Sequence, residues 1–280
     1  MLRKVTPISS RARTGTGATP IRLVQFTDTH LFADAAEDLR GIATLPALQA
    51  VLTRAAAHID AADAILVSGD VVQDDPGGYP RFIAAFESLG KPVLCLPGNH
   101  DDVPLMAQAL SRPPFVFGGH VDLGDWRLVL LDSVKPREAG GHLSRAELES
   151  LEHSLASAAG KHAFVCLHHH PVSMRSRWLD SVGLDNPEEF FRVIDRHPHV
   201  RAISWGHVHQ NFDEVRNGVR LFATPSTCAQ FLPLSDDFAV DTQPPAYRML
   251  ELAADGSIGT EVVWLDRLSA DSSQPSSSVA

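Results

Sequence analysis

The sequence predicts an α/β or α+β layered sandwich, and three observations indicate this class. Nine short apolar runs of strand type follow one another along the chain. Segments with helical character separate the earlier runs, whereas strands predominate after about residue 197. The runs are almost continuously apolar, which is typical of sheets that are covered on both faces.

The nine strands are predicted from runs rich in Val, Ile, Leu and Phe, most of which end beside Asp, Gly, Asn or His. They span residues 21–27, 64–68, 92–96, 126–132, 163–167, 200–205, 219–224, 247–252 and 261–265. The helices are predicted at residues 45–59, 79–89, 103–110, 144–158 and 187–194. Ser144 followed by Glu147 is a capping-box signature, and Asn186 is a good N-cap before Pro187.

Composition and charge limit the classes of protein that the chain can represent. The 280 residues are 44% hydrophobic and 21% charged, with a formal net charge of −10. This acidic balance argues against nucleic-acid binding, and no run has the length of a transmembrane helix. We expect one domain at residues 21–266, between disordered tails at 1–20 and 267–280. The sequence does not decide between a monomer and a homodimer.

The three cysteines predict a reducing compartment. Cys95, Cys166 and Cys228 are far apart in the chain and form no Cys-x-x-Cys pair. Two of them lie inside apolar runs, as reduced core thiols do. We therefore expect a cytoplasmic protein without disulfides.

Acidic, imidazole and amide side chains follow five of the predicted strands. They are Asp28 and His30, then Asp70, Asp74 and Asp75, then Asn99, His100 and Asp101, then His168, His169 and His170, and finally His207 and His209. Each piece alone is ordinary, since an Asp-x-His pair is common in loops and Gly-Asp after a strand is usually a turn. Their ordered occurrence at strand ends predicts one assembled site.

The residue types in this set predict a metal centre. Mixed carboxylate and imidazole ligands suit Fe, Mn, Zn or Co, and the absence of a thiolate set disfavours a structural zinc site. More ligands are present than one ion needs, so we expect two ions that share a carboxylate. Such a pocket is positively charged inside an acidic protein, and it therefore favours an anion such as a phosphate ester.

The ordered motifs resemble those of the calcineurin-like metallophosphoesterase family. The motifs run from Asp28-x-His30 through Gly69-Asp70 and Gly98-Asn99-His100-Asp101 to His168 and Gly206-His207-x-His209. Their flanks are similar to bacterial class III 3′,5′-cyclic AMP phosphodiesterases over residues 20–266. The resemblance implies a four-layer αββα sandwich with two mixed β-sheets.

The resemblance also implies roles for individual residues. One divalent ion would be held by Asp28, His30, Asp70 and His209, and the other by Asp70, Asn99, His168 and His207. Fe²⁺ or Mn²⁺ is expected, with Zn²⁺ or Co²⁺ as alternatives. Asp70, Asn99 and His100 are the expected catalytic residues, with His100 assisting the leaving oxygen. Substrate contacts are expected from His30, Asn99, His100, His168 and His209.

Two details of the site stay open from the sequence. Many relatives carry Asp where this chain has Gln73, so Asp74 is expected to support the site without binding metal. His168 is the expected ligand because it is the first histidine after the strand, but the residues alone do not exclude His169. His169 and His170 are expected in the pocket wall or behind the ligands.

The implied activity is hydrolysis of 3′,5′-cyclic AMP to 5′-AMP by a hydroxide that bridges two ions. A first alternative is a broader phosphodiesterase or phosphomonoesterase acting on glycerophosphodiesters, 2′,3′-cyclic nucleotides or nucleotide-sugar pyrophosphates. A second alternative is a non-catalytic scaffold, and it is disfavoured because every expected ligand type is present. Phe231 is equally consistent with a position facing a base and with core packing.

Overall fold

The computed structural model describes residues 19–158 and 160–266. The predicted disordered tails, 1–20 and 267–280, lie outside the described residues except for residues 19 and 20. Within these ranges, no helix is long and apolar enough to cross a membrane.

The described residues form 14 strands and six α-helices, numbered in chain order. The strands are β1 Ile21–Phe26, β2 Asp38–Leu39, β3 Ile42–Ala43, β4 Ala64–Ser68, β5 Val93–Leu96, β6 Phe115–Phe117, β7 Gly119–Leu123, β8 Trp126–Leu130, β9 His162–Cys166, β10 Val200–Trp205, β11 Phe212–Arg216, β12 Val219–Ala223, β13 Ala246–Leu252 and β14 Ile258–Trp264. The α-helices are α1 Thr44–Ala61, α2 Tyr79–Phe86, α3 Val103–Ala109, α4 Arg145–Ala156, α5 Arg177–Asp180 and α6 Pro187–Ile194. Two short 3₁₀ helices span Pro76–Gly78 and Glu87–Leu89.

Twelve of these strands build two mixed sheets of six strands each. The first sheet has the order β14-β13-β1-β4-β5-β6, and the second has the order β11-β12-β10-β9-β8-β7. Strands β1, β4, β5 and β6 are parallel to one another, as are β8, β9, β10 and β12. The remaining strands are antiparallel to their neighbours at the sheet edges.

Three apolar clusters separate the structure into four layers. One cluster joins the outer face of the first sheet to α1, α2 and α3. A second joins the outer face of the second sheet to α4, α5 and α6. The third lies between the sheets and contains Leu66, Trp126, Phe164 and Phe222. The predicted four-layer αββα sandwich with two mixed sheets is therefore confirmed.

A polar link crosses the inter-sheet core close to the carboxyl ends of the strands. The Gln25 amide donates to Ser68 Oγ at 2.9 Å and accepts from Ser204 Oγ at 2.9 Å. All three side chains are fully buried. Because buried polar groups are costly when unpaired, this network favours one alignment of the two sheets.

All nine predicted strands are present, with ends that differ by a few residues. Asn186 occupies the N-cap position of α6 as predicted, but its side chain makes no capping bond. Its amide instead accepts from Leu143 N and donates to Leu143 O, which joins two loops. Ser144 does cap α4 by accepting from Glu147 N.

Candidate metal centre

The topology brings the predicted site residues to one edge of the sandwich. Asp28 follows β1, Asp70 follows β4 and Asn99 follows β5 in the first sheet, while His168 and His207 follow β9 and β10 in the second. The carboxyl ends of parallel strands meet at one edge of a sheet, and here the two edges face each other. Five segments that are distant in sequence therefore meet at one place.

Three groups of side chains have ligand atoms close enough to share an ion; one of them, His30, Asp70 and His100, overlaps the other two. Asp28, His30 and His209 form the first group, and Asp70, His168 and His207 form the second. In the first, His209 Nε2 lies 3.3 Å from Asp28 Oδ1 and 3.0 Å from His30 Nε2. These two groups correspond to the two ligand sets expected from the resemblance.

The Asp70 carboxylate lies between the two groups. Its Oδ2 is 3.2 Å from His168 Nε2 and 3.9 Å from His30 Nε2. Its Oδ1 accepts the backbone N–H of His100 at 2.9 Å, which fixes the orientation of the carboxylate. Asp70 therefore lies where a carboxylate shared by two ions is expected.

Hydrogen bonds to the far side of two imidazoles orient their Nε2 atoms toward the cluster. His168 Nδ1 donates to Ser68 O at 2.8 Å, and His209 Nδ1 donates to Ala229 O at 2.6 Å. Each bond places a proton on Nδ1, so Nε2 is the ring nitrogen that faces the carboxylates and is available to an ion. This support behind the ring is typical of metal-binding histidines.

Unpartnered buried atoms show that the residues fit divalent ions. His30 Nδ1, Asn99 Oδ1, His168 Nε2 and His207 Nε2 have no hydrogen-bond partner among the described residues. Most buried polar atoms in folded proteins are paired, so several unpaired atoms at one place require an explanation. Imidazole nitrogens, carboxylates and an amide oxygen together form a suitable donor set for Fe, Mn, Zn or Co.

Burial and charge set the protonation of the cluster. Burial lowers the pKa of His30 to about 3 and that of His207 well below its usual value, so both rings are neutral. Burial also acts to lower the pKa of His168, but the Asp70 carboxylate outweighs it and raises that pKa to about 9. Although burial acts to raise it, the pKa of Asp70 is held well below its usual value by His168 and His100. The cluster thus combines carboxylates with neutral rings at His30 and His207 and a protonated ring at His168, and an ion that binds His168 has to displace its proton.

The backbone of the site is held in a conformation that few side chains adopt. Asp28, His30, Asp70, His207 and His209 all have φ between 44° and 66°, in the left-handed region. Residues other than glycine seldom adopt it, and such outliers cluster at functional sites. The loops therefore accept local strain while presenting the five side chains.

The three consecutive histidines have different surroundings. His168 faces Asp70, whereas His169 Nδ1 lies 2.8 Å from Ser133 Oγ and His170 Nε2 lies 4.0 Å from Asp180. His169 packs on Gly141, and a β-carbon added to Gly141 would lie 2.7 Å from Cβ of His169. Of these three histidines, His168 alone has a ring nitrogen close to the ligand atoms of Asp70 and His207.

His100 stands at the open side of the cluster beside Asp74. Its Nδ1 lies 2.9 Å from Asp74 Oδ2 and 2.9 Å from Gln73 Nε2. Burial acts to lower the pKa of His100, but Asp70 and Asp74 raise it overall. Asp74 is largely exposed and belongs to none of the metal-type groups. Its placement agrees with the expected supporting role.

Asp101 ties together the two loops that carry Asp70 and Asn99. Its buried carboxylate accepts N–H groups from Gly98 at 2.9 Å, Val71 at 3.1 Å and Val72 at 3.2 Å. Asp101 belongs to the predicted Gly98-Asn99-His100-Asp101 motif, but the sequence did not show that its carboxylate joins the two loops.

The cluster forms the floor of a cavity of about 240 Å³. The rest of the lining consists of Leu39, Arg40, Ala139, Trp178, Leu179, Val182, Phe231 and Phe238, together with Gln73. Of these residues, the sequence singled out only Gln73 and Phe231. The others come from β2, α5 and loops, none of which carries a motif.

Comparison with known families identifies the class of protein. A model described as calcineurin-like phosphoesterase matches residues 21–211. The chain therefore belongs to the calcineurin-like phosphoesterase family. It is 42% identical over 244 residues to "3′,5′-cyclic adenosine monophosphate phosphodiesterase CpdA" of Vibrio vulnificus, covering 86% of this chain and 89% of the relative. It is 40% identical over 247 residues to the protein of the same name from Pseudomonas aeruginosa, covering 88% and 90%.

Solved structures of low sequence identity share the fold. A dimetal phosphatase from Danio rerio superimposes with a TM-score of 0.59 at 15% identity, over 89% of this chain and all of the other. The purple acid phosphatase PPD1 from yellow lupin gives a TM-score of 0.61 at 16% identity, over 87% of this chain and 51% of the other. These similarities support the sandwich architecture.

Proposed function

We propose that this protein hydrolyses 3′,5′-cyclic AMP to 5′-AMP. One observation carries the proposal: side chains that match the family motifs converge on a single cavity, in a chain 42% identical to a cyclic AMP phosphodiesterase. The alternative of a non-catalytic scaffold is disfavoured because no expected ligand is missing.

The proposed ligands of two divalent ions follow the two groups. Asp28, His30 and His209 would hold one ion, and His168, His207 and Asn99 the other, with Asp70 shared. Fe²⁺ or Mn²⁺ is the proposed metal, with Zn²⁺ or Co²⁺ as alternatives. When bound, such ions lower the pKa of water and offset the charge that develops on a phosphoryl group.

His100 is the proposed proton donor to the leaving oxygen. Its Nδ1–H is directed at Asp74, which leaves Nε2 free to serve a substrate. The nearby carboxylates raise its pKa and so favour the protonated ring that a general acid needs. Asn99, with an unpartnered Oδ1, and His30 line the cavity beside it. Substrate contacts from these residues, His168 and His209 remain proposals.

A cytoplasmic location and a monomer or homodimer also remain proposals. The location is supported by Cys95, Cys166 and Cys228, which are all buried and free of disulfides.

The test is release of 5′-AMP from 3′,5′-cyclic AMP by protein loaded with Mn²⁺ or Fe²⁺. Chelator-treated protein and the variant Asp70→Ala serve as controls, and both should be inactive. His100→Ala should keep the metal and lose roughly 10²- to 10⁴-fold in kcat, as expected for a positioned acid. Cleavage of glycerophosphodiesters or 2′,3′-cyclic nucleotides without cleavage of cyclic AMP would support the broader phosphodiesterase instead.

A further inference from the structure

The cavity above the metal-type cluster has two chemically different sides. One part of the lining consists of imidazole, carboxylate and amide groups, whereas the other part is mostly apolar. A phosphodiester of a nucleoside has the same division, with an anionic phosphate and an apolar heteroaromatic base. The polar groups can bind the phosphate of such a substrate. The apolar part of the lining does not take part in that binding.

Three aromatic rings in the apolar part of the lining touch one another, and we call them the aromatic wall: Trp178, Phe231 and Phe238. The ring centroids of Trp178 and Phe231 lie 5.2 Å apart, those of Trp178 and Phe238 lie 5.1 Å apart, and those of Phe231 and Phe238 lie 5.3 Å apart. The wall joins the floor directly, because Phe231 stacks on His209 at 4.1 Å with an interplanar angle of 8°.

Hydrogen bonds hold the wall in place. The backbone N–H of Trp178 donates to Asp236 O at 3.2 Å, and Ser176 Oγ donates to Ser235 O. Within the loop that carries both phenylalanines, Leu232 N donates to Ala239 O at 2.8 Å. The rings are therefore positioned by two segments about 60 residues apart in sequence that are bonded to each other.

The wall is open to a ligand at its outer end. Phe238 is 43% exposed, although large apolar side chains usually find cover. The Arg40 guanidinium lies 4.7 Å from the centroid of its ring, at the rim of the same cavity. Aromatic rings and guanidinium planes are the groups on which nucleic-acid bases stack in proteins.

We propose that the aromatic wall, with Arg40 at its rim, binds the base of the nucleotide substrate by stacking. This inference rests on the proposed hydrolysis of cyclic nucleotides and adds the residues that select a nucleoside diester. Every base has a π-face, so stacking does not discriminate adenine from guanine. The wall therefore favours diesters that carry a base over those that lack one, and it affects cyclic AMP and cyclic GMP alike.

The test compares cyclic AMP with the base-free 3′,5′-cyclic phosphate of 1-deoxyribose as substrates of the Mn²⁺-loaded protein. Phe238→Leu keeps an apolar side chain and removes the π-face, whereas Phe238→Tyr keeps the ring. The matched control is Leu232→Ala, since Leu232 is 42% exposed in the same loop and does not line the cavity. Binding of 5′-AMP and of ribose 5-phosphate, measured by calorimetry, provides a readout that is independent of turnover.

We expect Phe238→Leu to raise KM for cyclic AMP and cyclic GMP by roughly 5- to 100-fold, the range found for loss of a base–aromatic stack. The base-free diester should be unaffected, and Phe238→Tyr should behave as the wild type. An equal loss for both kinds of diester, or no loss for either, would overturn the inference. If the wild-type protein cleaves neither diester, the proposed function is contradicted. The aromatic wall would still be supported if 5′-AMP binds more tightly than ribose 5-phosphate and if Phe238→Leu weakens the binding of 5′-AMP.

Discussion

The substitution Gly69→Ala tests how closely the loop after β4 is packed against the site. Gly69 has a φ of +97°, and a β-carbon there would lie 2.8 Å from His168 Cγ and 2.9 Å from Gly98 N. Both distances are shorter than any ordinary carbon contact. The alanine would therefore displace the His168 ring from its position beside Asp70 and separate the loops that carry two proposed ligands.

The loss of stability in Gly69→Ala is the sum of two contributions. A left-handed backbone costs an alanine about 1–2 kcal/mol relative to glycine. Displacing His168 breaks its 2.8 Å bond to Ser68 O, and loss of one such bond costs about 1 kcal/mol. We therefore expect the free energy of unfolding to fall by about 2–3 kcal/mol. Displacement of a ligand should also weaken Mn²⁺ binding by roughly 10- to 100-fold, as loss of support behind a ligand does.

Gly218→Ala is the matched control, because it separates the backbone effect from the collision. Gly218 has a φ of +81° in the turn between β11 and β12, with nothing within 4 Å of its added β-carbon. Urea unfolding of the metal-free variants and Mn²⁺ titration calorimetry provide the two measurements. Equal losses of stability in the two variants, with unchanged Mn²⁺ affinity in Gly69→Ala, would refute the reasoning.

Two further substitutions test the surroundings of the site. Asp74→Asn should lower the pKa of His100, because it removes a neighbouring negative charge. His100 then loses its proton at a lower pH, so kcat should begin to fall at a lower pH on the alkaline side of the profile. Because Asp74 is largely exposed, we expect a loss of only about 3- to 10-fold at neutral pH, and an unchanged pH profile would contradict the assignment. Gln25→Met should leave the hydroxyls of Ser68 and Ser204 without their partner between the sheets, lowering the free energy of unfolding by about 1–3 kcal/mol. An unchanged midpoint of urea unfolding would show that the polar link is dispensable.

The layers of the fold were predictable because buried parallel strands leave a strong signal. Strands such as β4 and β9 are apolar at nearly every position, since helices or the other sheet cover both of their faces. Strand β11 was not predicted, because it lies at a sheet edge, is mostly exposed and has the polar sequence FDEVR. Strands β6 and β7 were also missed, as short or glycine-led strands near sheet edges.

The floor of the site was predictable for a different reason than its wall. Metal-type ligands are limited to a few residue types, and they follow strands whose carboxyl ends must meet. The aromatic wall follows no such rule, because Trp178 lies in the one-turn helix α5 and Phe238 in a loop, and aromatic residues at such positions ordinarily indicate packing. The contacts of the Asn186 side chain were not predictable, because a tertiary partner, Leu143, replaced the local capping bond.

The central claim is that the residues at these strand ends form a two-metal centre that shares Asp70. The most direct test is the number of Mn²⁺ ions bound per chain after gel filtration, measured by mass spectrometry for the wild type and for Asp70→Ala. We expect two ions per wild-type chain and at most one in the variant. Two ions retained by Asp70→Ala, or fewer than two in the wild type at saturating Mn²⁺, would contradict the claim.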